Sequence, residues 1–262
     1  MSRYRAMFDR LGRDGALGVF LMLGDPDFET SHGLLDAVVA AGADMIEVGI
    51  PFSDPVADGP IIQAAAQRAL EAGVKVSDCF DLIARFRSRH PEVPVGILTY
   101  ANIVVARTGF MRDAAEAGAD SLLLADVPAL EAEPFVKAMD QAGIEPVLIA
   151  AANTPDRSLA RIAELSRAYT YCVSRPGITG THAGGRFDSS LIQRLSAAGA
   201  APQLFGFGIS EPEHVRSALS SGARGVICGS AIVQKAALGE DVTLLVRSLK
   251  AATRERLAAA MD

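Results

Sequence analysis

The sequence is short of basic charge: 25 Lys and Arg stand against 31 Asp and Glu, a formal net charge of −6. That balance excludes a protein held to nucleic acid by a general basic surface, because phosphate neutralisation needs clustered cations. It leaves room for a local site for a small anion. Cysteine is scarce as well. Cys79, Cys172 and Cys228 are too few and too scattered for a disulfide framework. Cys172 and Cys228 sit inside apolar runs, where a buried free thiol is the expected state, so a reducing cytoplasm is the expected compartment. Long hydrophobic runs are missing. The run 16–23 is too short to span a membrane and leads into Gly24-Asp25-Pro26-Asp27 instead of a small-residue cleavage site. It reads as a first strand, and no basic amphipathic segment suggests membrane attachment.

Catalytic hardware of several kinds is lacking too. His32, His90, His182 and His214 are widely spaced, and no Cys/His cluster exists, so no metal is expected. There is no nucleophile elbow and no Walker loop. Lys75, Lys137, Lys235 and Lys250 all fall away from the ends of apolar strands, where a Schiff-base enzyme would need one. What remains is acid–base chemistry by carboxylates.

What is present is a repeated unit. Ala41-Gly42-Ala43-Asp44 precedes the apolar run 45–50, and Ala117-Gly118-Ala119-Asp120 precedes 121–125. Looser versions precede 146–150, 202–206 and 225–228. Each reads as a helix end, a glycine turn and a short buried strand. With 18–23, 95–98 and 170–173 added, eight strands alternate with amphipathic stretches at 30–41, 60–72, 77–89, 130–142, 156–167, 188–198 and 212–220. Continuously apolar strands covered by helices are parallel strands. Eight such units in 262 residues predict one α/β domain over 1–262, a (β/α)8 TIM barrel with an extra N-terminal helix. No Gly-x-Gly-x-x-Gly follows the first strand, which weakens a dinucleotide fold.

A barrel places chemistry at the C-terminal ends of its strands. Glu47 stands in Met45-Ile46-Glu47-Val48-Gly49-Ile50. If Ile46, Val48 and Ile50 face the helices, alternation turns Glu47 into the barrel. Burial there would raise its pKa by about 3–5 units, a cost that an aliphatic residue would avoid. Such a carboxyl can give and take protons near neutral pH. Asp58 follows in a long loop, just before Gly59-Pro60, where an ordinary acidic helix cap competes with a catalytic role. Three glycine-rich segments come after the last three strands: Gly177-Ile178-Thr179-Gly180, Gly206-Phe207-Gly208-Ile209-Ser210 and Gly229-Ser230. Their exposed N–H groups suit a phosphate, with Ser230 at the head of a short helix.

The segment 45–62 resembles the signature of the tryptophan synthase alpha chain family. So do Gly24-Asp25-Pro26, Tyr100-Ala101-Asn102, Ala125-Asp126-Val127-Pro128, Tyr169-Thr170-Tyr171 and Ser174-Arg175. The resemblance spans nearly the whole chain. It implies retro-aldol cleavage of indole-3-glycerol phosphate to indole and glyceraldehyde 3-phosphate, for tryptophan biosynthesis, with Glu47 as acid–base and Asp58 on the indole nitrogen. It also implies that Tyr171 lies beside Glu47, that Phe20 and Leu98 line the indole pocket, and that Thr179, Gly180, Gly208, Gly229 and Ser230 hold the phosphate. The loops 54–60 and 178–187 resemble two mobile loops that close over substrate. A beta chain carrying pyridoxal phosphate is the implied partner, in an alpha2beta2 tetramer, with Pro51 and Asp54 in loops facing it and no cofactor in this chain. Departures from the commoner pattern fall at Pro176, at 181–185 and around 107–109. The competing readings are a stand-alone indole-releasing lyase and a non-catalytic barrel that regulates a partner.

Overall fold

Eight short apolar segments become strands in the computed structural model, which describes residues 2–173 and 187–254. They are β1 (Ala16–Met22), β2 (Met45–Gly49), β3 (Val95–Thr99), β4 (Ser121–Leu124), β5 (Glu145–Ala151), β6 (Thr170–Val173), β7 (Gln203–Phe205) and β8 (Gly225–Cys228). Each pairs in parallel with the next, and β1 also pairs with β8, closing the barrel. The helices are α1 (Arg3–Leu11), α2 (Phe28–Ala40), α3 (Pro60–Glu71), α4 (Val76–Arg89), α5 (Ala101–Ala106), α6 (Phe110–Ala117), α7 (Glu133–Ala142), α8 (Asp156–Leu165), α9 (Ser189–Ala197), α10 (Pro212–Ser220), α11 (Ser230–Ala237) and α12 (Thr243–Thr253). Among the described residues no helix is long and apolar enough to cross a membrane.

All eight expected strands form, with β1 starting two residues earlier, at Ala16. The helices differ more. Periodicity marks no helix in the stretch after β3, where Gly109, at φ 84, separates α5 from α6. Helix α12, beyond the expected stretches, packs across α10. Helix α7 begins at Glu133 and not at 130, with Pro134 in its first turn, where a missing N–H costs nothing.

Strand alternation sorts the core into two clusters. Leu17, Val19, Ile46, Val48, Ile97 and Leu122 face the helices. Ala16, Phe20, Met45, Leu123, Val147, Tyr171, Leu204 and Ile227 face inward. The interior cluster also takes Tyr4 and Met7 from α1, which therefore stoppers the barrel at the N-terminal ends of the strands. Tyr4 bonds Ser121 Oγ at 2.8 Å there.

The repeated Ala-Gly-Ala-Asp unit has a physical role. Gly42 and Gly118 take φ of 113° and 97°, which lets each helix end turn sharply into the following strand. The aspartate then grips the preceding strand twice. Asp44 N–H donates to Leu17 O and its carboxylate accepts from Leu17 N–H, both at 2.8 Å. Asp120 does the same to Val95, again at 2.8 Å for both bonds. Each buried carboxylate also meets a cation: Lys250 at 2.6 Å for Asp44, Arg87 at 2.6 Å and Arg3 at 2.7 Å for Asp120. Register, helix docking and charge compensation are thus handled by one residue per unit.

Candidate active site

Glu47 occupies the middle of β2, in register with Phe20 on β1 and Gly96 on β3. Its side chain is 1% exposed and points into the barrel, as alternation predicts. Burial pushes its pKa up to about 7 from an ordinary 4.5; a hydrogen bond from Tyr169 opposes this, and the nearby charge of Asp58 adds to it. Tyr169 Oη donates to Glu47 Oε1 at 2.6 Å, while Oε2 is buried with no hydrogen-bond partner among the described residues. One oxygen is held and the other is left without a hydrogen bond among the described residues. That is the arrangement a proton-exchanging carboxyl needs.

The tyrosine bonded to Glu47 is therefore Tyr169, not Tyr171. Tyr171 lies one alternation further along β6, close enough to feel the charges of both Glu47 and Asp58. Burial and those charges hold its hydroxyl well above the ordinary range, so it stays protonated. Its ring depends on Gly206: a Cβ there would lie 1.9 Å from Tyr171 Cζ and 2.0 Å from Oη. Tyr171 also meets Phe207 edge-on at 6.0 Å.

Asp58 is not a helix cap. The N-cap of α3 is Gly59, and the Asp58 carboxylate turns to Tyr100, whose Oη donates to Oδ2 at 2.8 Å. The loop around it is folded on itself: Val56 N–H donates to Asp54 O, Asp58 N–H to Pro55 O, and Gln63 Nε2 to Asp58 O. Burial raises the Asp58 pKa and the Tyr100 bond lowers it. Asp54 is exposed, whereas Pro51 is buried.

Phe20 is buried on the inner face of β1, and Leu98 is half-buried on the inner face of β3. Both flank the position of Glu47. Gly229 and Ser230 are half-buried where β8 runs into α11, and Gly208 is exposed in the loop after β7. That puts Gly208, Gly229 and Ser230 at the C-terminal end of the last two strands. Thr179 and Gly180, with Arg175, Pro176, Thr181–Gly185 and most of loop 178–187, lie outside the described residues. Among the described residues no group of three or more His, Cys, Asp or Glu side chains is placed to hold a metal ion.

Tyr169 and Tyr100 are the hydroxyls bonded to the two carboxylates, and residue-level reading does not single them out. Each sits at the edge of a strand beside a residue that pattern did reveal. Their pairing across 122 and 42 residues of chain leaves no local trace.

A family model described as tryptophan synthase alpha chain matches residues 10–261. The tryptophan synthase alpha chain of Aeromonas hydrophila is 48% identical over 239 residues, covering 89% of this chain and 89% of that one. That of Serratia proteamaculans is 45% identical over 267 residues, covering 97% of this chain and all of its own. Among solved structures, Mycobacterium tuberculosis tryptophan synthase superposes with a TM-score of 0.89 at 31% identity, covering 97% of this chain and 98% of that chain. Tryptophan synthase subunit alpha from Legionella pneumophila gives 0.86 at 29% identity, with coverage of 97% and 98%.

Proposed function

Since this chain belongs to the tryptophan synthase alpha chain family, a lyase that cleaves indole-3-glycerol phosphate and supplies indole for tryptophan synthesis, we propose that Glu47 and Asp58 carry that cleavage here. The observation that carries the reading is the buried, half-engaged carboxyl of Glu47, with a pKa pushed up to about 7, next to a second carboxylate. Cleavage needs one proton delivered to indole C3 and one removed from the hydroxyl on the adjacent side-chain carbon. Protonation at C3 places positive charge on the ring nitrogen. Breaking the bond from C3 to the side chain returns the electron pair to the ring, and the hydroxyl carbon becomes the aldehyde of glyceraldehyde 3-phosphate. Glu47 exchanges both protons, and Asp58 stabilises the charge at the ring nitrogen.

Phe20 and Leu98 bracket the indole ring, and Tyr171 lies over the reacting centre. The N–H groups at Gly208, Gly229 and Ser230, aided by the N-terminus of α11, take the phosphate with Thr179 and Gly180. The test is turnover of indole-3-glycerol phosphate by wild type, Glu47→Gln and Asp58→Asn. Losses of two or more orders of magnitude in both variants are expected; wild-type turnover in either would sink the assignment.

The partner is a beta chain that carries pyridoxal phosphate and receives indole, in an alpha2beta2 assembly within the cytoplasm. Three exposed apolar side chains favour a docking face at the C-terminal end of the barrel. Val56 (74% exposed), Val105 (72%) and Leu130 (47%) follow β2, β3 and β4 in turn, beside exposed Asp54. A stand-alone lyase would release indole at full rate alone, and a regulatory barrel would bind a beta chain without turnover. Indole release measured with and without a beta chain separates all three.

A further inference from the structure

We propose that Tyr100 is the positioning residue that fixes both the placement and the charge of Asp58. The inference rests on the reading of Asp58 as the indole-nitrogen carboxylate. Tyr100 follows β3 and serves as N-cap of α5, only 2% exposed. Its seat is held from two sides. The ring packs on Phe52 at 5.2 Å, and Ala101 N–H donates to Asp126 Oδ1 at 2.9 Å, pinning the first residue of α5.

From that seat one oxygen makes two bonds. Tyr100 Oη donates to Asp58 Oδ2 at 2.8 Å and accepts Ala57 N–H at 3.2 Å. A phenol has a single proton. With Ala57 N–H directed at a lone pair, that proton is committed to Asp58, and a donated bond favours the carboxylate over the acid. The same oxygen therefore anchors the backbone of the loop and the side chain next to it. Holding Oδ2 assigns Oδ1 to the ring N–H of the indole.

The surroundings give Tyr100 electrostatic weight. Glu47 on β2 and Tyr171 on β6 act on Asp58 or are acted on by it, and Asp126, after β4, faces Tyr100 itself. None of these is a cation. Burial opposes the charge on Asp58, and the bond from Tyr100 is what counters it. Burial and the two aspartates hold the Tyr100 hydroxyl far above its ordinary range, so it remains a donor throughout the working pH range.

The experiment is the pH dependence of kcat/KM for indole-3-glycerol phosphate in the full chain, for wild type, Tyr100→Phe and Asp58→Asn. Removing the donor should cost Tyr100→Phe about tenfold to a hundredfold near neutral pH, the range expected for a hydrogen bond to a charged group. Asp58 acts when ionised, and losing the donor raises its pKa. The acid limb of the profile must therefore move to higher pH, with partial recovery at alkaline pH. A uniform loss with an unmoved limb would overturn the proposal, because a purely structural role predicts that. Should Tyr100→Phe fail to fold, 3-fluorotyrosine at position 100 keeps the shape and is a stronger donor. It should move the acid limb to lower pH, and an unmoved limb counts against the proposal. If Asp58→Asn keeps wild-type turnover, the reading of Asp58 fails. If Asp58→Asn is inactive while Tyr100→Phe retains the wild-type profile, only the role of Tyr100 fails.

Discussion

The acidity of Glu47 has a stability consequence with a definite sign. Its folded pKa is about 7 against an ordinary 4.5, so between those values the folded chain keeps a proton that the unfolded chain releases. Stability contributed by this site therefore falls as pH rises through that window, by about 3 kcal/mol once the window is crossed. Glu47→Gln removes the titration. In urea titrations the variant should gain on wild type progressively from below pH 4.5 to above pH 7; a pH-independent difference would show that Glu47 is not perturbed. Tyr169→Phe should raise the Glu47 pKa further, because the bond it removes lowers it. The ionisation limb assigned to Glu47 in the kcat profile should shift upward, while Tyr4, which packs at a tilt on Tyr169 at 5.5 Å, still packs against a ring. At this scale Glu47 was legible because a carboxylate at an inward strand position stands out from its aliphatic neighbours. Asp58 was ambiguous, since loop aspartates before a glycine and proline are common caps. Tyr169 and Tyr100 were illegible as partners, because only closure of the barrel brings them to the carboxylates.

Among the elements, the aspartates that follow Gly42 and Gly118 hold strand to strand, and the cations they recruit hold helices to the floor. Lys250 links α12 to Asp44 within the interior. Lys250→Met leaves that carboxylate buried without its close cation and should cost about 3–5 kcal/mol, read as a lower urea midpoint. A change below about 1 kcal/mol would mean that Arg10, at 3.9 Å, compensates. Gly206→Ala tests a different joint. Its Cβ would collide with the Tyr171 ring, so Tyr171 must leave its place, and cleavage should fall at least tenfold while the β6–β7 pairing persists. The strands were readable as elements because each is a short apolar run behind a glycine turn. Helices are read less well where glycine or proline interrupts the stretch, as at Gly109 and Pro134.

For the whole molecule, closure of the sheet and the placement of the glycine loops after β7 and β8 followed from counting units, whereas the apolar residues of the proposed docking face did not. Val56, Val105 and Leu130 are far apart in sequence and look like ordinary loop and helix residues. They share one side of the barrel only because they follow β2, β3 and β4, which are neighbours in the closed sheet. Val105→Glu should weaken beta-chain binding measurably in titration calorimetry, with indole release in the absence of a beta chain as the internal control. Unchanged affinity would move the interface elsewhere. The stopper helix carries a consequence of another kind. Tyr4 and Met7, buried at the N-terminal ends of the strands, close that end of the barrel. The burial that raises the Glu47 pKa is thus maintained in part by residues at the end of the barrel away from the proposed substrate site. Directed evolution that varied only α1 could retune the working pH of this enzyme from its underside.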